Sequence, residues 1–188
     1  MISSFDGIAI VNDLTGSPQI ATLDAAISAQ GNFGDTISSF SSLGPARGGS
    51  GFKPDITAPG SAIVSAGVGT GAGPLTLGGT SMSAPHVAGV SALLLAENPE
   101  LTPEGVKAIL QNSTVAAVPD GTIGPAQALS RQGTGVVRAD KAVTLTSYAT
   151  PGGVSFGRVN PDKNTRRKVD VKLVNLSEDF RSYSVTHI

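Results

Sequence analysis

Residues 1–78 alternate short apolar runs with turn-forming residues. Ile8-Ala9-Ile10-Val11, Ile37-Ser38-Ser39-Phe40 and Ile63-Val64-Ser65-Ala66 are each bounded by Gly, Pro, Ser or Asp, which predicts strands joined by loops. From Ser81 the pattern changes. Residues 87–96 are an unbroken run of small and apolar side chains, longer than an ordinary strand and apolar on every side, which predicts a buried helix. Glu97-Asn98-Pro99 closes it. Thr102-Pro103-Glu104 then opens a second helix: Thr102 suits the N-cap, Pro103 suits the first turn, and Val106, Ile109 and Leu110 share one face. A single apolar stripe predicts that this helix is amphipathic and superficial. After Gly133-Thr134-Gly135 a short segment, 136–145, leads to the break Pro151-Gly152-Gly153. Beyond it Val169, Val171 and Leu173 alternate with Lys168, Asp170 and Lys172, the period of a half-exposed strand.

Composition narrows the function classes. An apolar fraction of 39% with 14% charged residues describes a chain that buries a core, since disordered chains are poorer in the first and richer in the second. The net charge is −1, and the basic residues are scattered apart from Arg166-Arg167-Lys168, so no continuous basic surface is available for nucleic acid. No apolar run approaches the roughly 20 residues that span a bilayer. Met1-Ile2-Ser3-Ser4 lacks the basic start of a signal peptide, so a secretion signal is expected upstream if the parent protein is exported. Without cysteine the chain has neither disulfides nor thiolate chemistry.

The segment richest in chemistry is Gly78-Gly79-Thr80-Ser81-Met82-Ser83-Ala84-Pro85-His86-Val87-Ala88-Gly89, where loop gives way to helix. A serine there lies beside unpaired backbone N–H groups and the positive end of the helix dipole, an environment that favours an oxyanion. The plain alternative is that Ser81 only caps the helix. Taken whole, the string resembles the active-serine segment of the subtilisin-like serine proteases, with Ser81 on their nucleophile. Ile37-Ser38-Ser39-Phe40-Ser41-Ser42-Leu43-Gly44-Pro45 and Lys53-Pro54-Asp55-Ile56-Thr57-Ala58-Pro59-Gly60 resemble the same family in the expected order. Asn98-Pro99-Glu100-Leu101-Thr102 and Gly133-Thr134-Gly135-Val136-Val137 resemble its last helices and the exit from its catalytic domain.

The resemblance implies an α/β fold, a parallel sheet flanked by helices, and a serine endopeptidase acting on protein or peptide substrates through an acyl-enzyme on Ser81. It also implies an oxyanion site shaped by Thr80 and the Ser81 backbone N–H. No cofactor is expected. Calcium is frequent in the family, but the scattered carboxylates give no assignable metal site. Residues 35–148 are expected to be the serine-bearing part of the catalytic domain, and 151–188 the start of a β-rich, fibronectin-III-like domain, since about 38 residues are fewer than the ~100 of a β-sandwich. For residues 1–34 two readings stand open. They are an upstream catalytic strand, which would put Asn12 at the oxyanion, or the end of an inserted protease-associated domain, which would make Asn12 a turn residue.

The triad Asp and His of the family precede the serine in separate segments that this sequence does not contain. Its histidines are His86 and His187. Five residues along a helix turn a side chain by about 500°, some 140° past a full turn, so His86 faces away from Ser81 and is expected to be buried. His187 is expected at the surface. A serine without its base is a weak nucleophile, so the isolated chain should be almost inactive, its missing N-terminal part supplying the triad partners. The rival is a dead pseudoprotease or a β-rich adhesion module. By resemblance the parent works outside the cell or at its surface.

Overall fold

The computed structural model of the chain describes residues 36–47, 51–71, 73–117, 127–157, 160, 162 and 166–186. The predicted strand at residues 8–11 lies outside them. In chain order the described elements are β1 (Ile63–Ala66), β2 (Pro74–Leu77), α1 (Thr80–Glu97), α2 (Pro103–Asn112), α3 (Leu129–Gln132), α4 (Ala139–Val143), β3 (Ser147–Thr150) and β4 (Lys172–Asn175). Helices and strands are thus mixed, as an α/β chain requires. The pairings β1–β2 and β3–β4 are both antiparallel, and parallel pairing among the described residues is confined to the bridge Thr57–Val136.

The strand predicted at residues 63–66 is β1. Its partner β2 was not foreseen in the sequence, and the glycine-rich stretch 69–73 falls in the connection between the two strands. The Gly67 N–H donates to the Gly73 carbonyl (2.9 Å), and Thr70 Oγ1 lies 2.7 Å from the Gly67 carbonyl and 2.8 Å from that of Gly73, so one hydroxyl ties both sides of the turn. Pro74 opens β2, the position in a strand where a missing N–H costs least. The strand expected at residues 37–40 is instead a turn. There the Ser41 N–H donates to the Ser38 carbonyl (3.0 Å), and Ser38 Oγ meets Ser61 Oγ at 2.6 Å. Adjacent serines that bond locally compete with a strand ladder.

The core lies where α1, α2 and α4 meet: Val90 and Leu94 from α1, Val106, Ile109 and Leu110 from α2, and Ala142 from α4. Leu94 and Ile109 are each 1% exposed, and burying each contributes about 1.5–3 kcal/mol. The helix expected to be buried all round is covered on one side only. Val90 and Leu94 are buried, while Leu93 and Leu95 are 45% and 42% exposed, because nothing among the described residues packs on the other faces.

Helix α2 starts as the sequence predicts, with Thr102 Oγ1 accepting from the Gly105 N–H (3.1 Å) and Pro103 in the first turn. It is not superficial, however: Gly105, Val106, Ala108, Ile109 and Leu110 are all buried. The cover comes from a segment some forty residues further on, which a local period cannot reveal. Tyr148 of β3 sets its hydroxyl so close to Gly105 that a Cβ there would stand 3.0 Å from it. Asn112 pairs its carboxamide with the backbone of Ala149 in both directions, Nδ2 donating to the carbonyl and Oδ1 accepting from the N–H, each at 3.1 Å. In the region predicted as a half-exposed strand, Lys172–Asn175 forms β4, which pairs with β3 across the Pro151-Gly152-Gly153 break.

Candidate active site at the start of the long helix

Two residues separate the end of β2 at Leu77 from the start of α1 at Thr80. The second, Gly79, is the N-cap, with φ 156° and ψ 166°, a backbone region that is almost exclusively glycine's. Its N–H donates to the Gly60 carbonyl (2.7 Å), and its own carbonyl accepts from the Met82 N–H (3.0 Å). Gly60 sits equally close on the other side. A Cβ on Gly60 would collide with Ser83 Oγ and stand 2.9 Å from the Gly79 carbonyl oxygen. Ser83 Oγ in turn donates to the Ala58 carbonyl (3.0 Å). The loop at residues 58–61 therefore grips the first turn of α1 through backbone groups and one hydroxyl.

Ser81 is the second residue of α1 and is exposed. The capping alternative for it fails on geometry, because the cap position belongs to Gly79 and no side chain caps the helix. Its hydroxyl makes no hydrogen bond among the described residues. The N–H groups of Thr80 and Ser81 stand in the first turn, where no carbonyl lies one turn earlier to receive them, and Thr80 is exposed too. A free hydroxyl beside open amides at the positive end of a helix can attack an electrophile and hold the negative charge that forms.

His86 Nδ1 donates to the Met82 carbonyl (2.7 Å), one turn back in the same helix, which commits the ring to its own helix. The histidine is exposed, not buried as expected, because the described residues leave that face of α1 uncovered. Asn12 and His187 lie outside the described residues. No group of three His, Asp or Glu side chains close enough to hold a metal occurs among the described residues.

Further along, α1 and α2 flank an open groove of about 640 Å³ whose lining includes Val87, Leu95, Val106 and Leu110. At its rim Asp55 pairs with Lys53 and, at 2.9 Å, with Lys107. Partial burial pushes the Asp55 carboxyl up, but hydrogen bonds and charge from the two lysines outweigh that and hold it below its ordinary value. The Asp55 carbonyl accepts from the Thr134 N–H (3.0 Å), and Thr57 exchanges hydrogen bonds with Gly135 and Val137, each 2.8 Å. Two segments distant in sequence are thereby joined.

The sequence profile of the subtilase family matches residues 11–135. The chain belongs to the subtilase family. This subtilase chain is 31% identical to the minor extracellular protease Vpr of Bacillus subtilis over 99% of its length, and 44% identical to the serine protease AprX of the same organism over 43%. It is 39% identical to an alkaline extracellular protease of Yarrowia lipolytica over 44%. The chain spans 23%, 21% and 18% of those three proteins. Sequence reasoning on the subtilase motif singled out Thr80 and Ser81 but not the positioning roles of Gly60 and Ser83. The signal was present: Ala58-Pro59-Gly60 closes one of the resembling segments, and only its contact with Gly79 explains the glycine.

Proposed function

We propose that this chain is the serine-bearing part of a subtilisin-like serine endopeptidase. In the proposed reaction Ser81 Oγ attacks the carbonyl carbon of a peptide bond while a histidine, oriented by an aspartate, takes the hydroxyl proton. The oxyanion is received by the Ser81 N–H and the Thr80 side of the loop, the amine leaves with the proton from the histidine, and water releases the acyl group. The observation that carries this reading is the placement of Ser81: exposed, unbonded, in an uncapped first turn held by Gly60 and Gly79.

The aspartate and histidine are supplied from the N-terminal side of the same catalytic domain, since His86 is bonded to its own helix. Residues 35–148 carry the serine half of that domain and 151–188 open a β-rich domain. The family match from residue 11 supports reading part of 1–34 as catalytic domain too. Relatives named as extracellular proteases support action outside the cell, on protein or peptide substrates, and no helix among the described residues is long and apolar enough to cross a membrane.

The test is a fluorophosphonate probe applied to this chain joined to its native N-terminal part, read by mass spectrometry. A single adduct on Ser81 that disappears in Ser81→Ala is the expected result. A folded sample without an adduct would point to the pseudoprotease, and peptide hydrolysis by the 188-residue chain alone would contradict the missing-partner account.

A further inference from the structure

Arg166, Arg167 and Lys168 are the one basic run of the chain, and the site around Ser81 has no use for them. Residues 166–171 belong to no helix or strand, and all six are exposed. None of the three basic side chains has an ion pair among the described residues, whereas Lys53, Lys107 and Arg138 are paired with carboxylates. Arg131 and Lys141 are in helices, and Lys172 is in β4. A peptidase must draw several consecutive residues into extended form, so it cuts where the backbone is already free of helix and ladder bonds.

The segment also lies at a mechanical junction. Upstream of it, β3 is fixed to α2 by the two-way Asn112–Ala149 pairing and by Gly152, which approaches Gln111 so closely that a Cβ would stand 2.9 Å from its side chain. Downstream, β4 pairs with β3 through four residues, from Ser147–Asn175 to Thr150–Lys172, and Leu176 just beyond it packs against the core and donates its N–H to the Thr146 carbonyl (2.8 Å), a short attachment for the chain that follows the basic run.

We infer that Arg166-Arg167-Lys168 is a processing site at which a second peptidase, one whose specificity pocket presents a carboxylate to a basic side chain, severs the β-rich extension from the Ser81-bearing part. One water is consumed: its hydroxyl joins the carbonyl carbon of Arg167 or Lys168, its hydrogen joins the departing amide nitrogen, and a carboxylate and an amine result. β3 stays on α2, and β4 leaves with the extension.

The experiment is brief digestion of the 188-residue chain with trypsin, in a Ser81→Ala background so that the result is independent of whether Ser81 is a nucleophile. Intact-mass analysis should find first products ending at Arg167 or Lys168, and size exclusion should then separate the downstream piece. In the triple variant Arg166→Gln, Arg167→Gln, Lys168→Gln, with unchanged circular dichroism, loss of intact chain should slow by about a hundredfold or more. A first cut after Arg47 or any other basic residue, an unslowed triple variant, or nicked pieces that stay together would each overturn the inference.

Discussion

At its first turn α1 exposes Thr80 and Ser81 and is held from outside by backbone groups of residues 58–61. Three turns later the same helix buries Val90 and Leu94 against α2 and α4. The two regions draw on similar small and apolar residues, yet one is fixed by hydrogen bonds at glycines and the other by side-chain packing. The contrast separates chemistry from stability: groups that react must stay open to a ligand, whereas groups that stabilise must be closed to water.

Substitutions at the two ends should therefore fail differently. The largest effect expected is on reaction with the probe or a peptide: Ser81→Ala, in the chain joined to its N-terminal part, should lower turnover by about 10⁶-fold. Its thermal unfolding should stay within about 0.5 kcal/mol of the parent, since the side chain is exposed and unbonded. A large stability loss in that variant would break the comparison. At the other end Leu94→Ala should destabilise by about 2–5 kcal/mol in denaturant unfolding, through lost burial and the cavity left between α1 and α2. Where the variant is still folded, its Ser81 should label at the parental rate.

Gly60→Ala tests the link between the regions. The added methyl meets Ser83 Oγ and the Gly79 carbonyl, so the loop must shift at a cost of about 1–3 kcal/mol, and probe labelling should slow without vanishing. Parental labelling in Gly60→Ala would show that residues 58–61 do not position the serine.

The smallest effect expected is that of acid on Asp55. Its carboxyl is held below the ordinary value of 3.8 in the folded chain. The paired form therefore stabilises the fold above about that pH, and the contribution is lost as pH falls through the lower, folded value. The pair is partly exposed, so the loss should be under about 1 kcal/mol, and Lys107→Met should reduce it further. Unfolding curves at pH 5 and pH 3, with and without Lys107→Met, would read it out.

Much of this was legible beforehand where the signal is local. The Thr102 cap, Pro103 in the first turn, the run closing at Glu97 and the strand at 63–66 all follow from neighbours within a few residues. Where partners are distant the sequence misled. Helix α2 looked superficial because its cover comes from Tyr148 and Ala149, and residues 37–40 looked like a strand although they form a turn. His86 was expected to be buried but is exposed, because burial depends on what packs against a helix and not on rotation along it.

By itself the sequence determined the family, through segments whose residue order survives without reference to structure, and it put Ser81 at the junction of loop and helix. Only the tertiary structure decided that Gly79 and not Ser81 caps that helix, that Gly60 must lack a side chain, and that β3 is stitched to α2 by Asn112. The physical reason is range. Propensity, capping and periodicity act over a turn or two of chain, whereas steric exclusion at a glycine and the cover over a helix depend on atoms that approach only once the chain has folded.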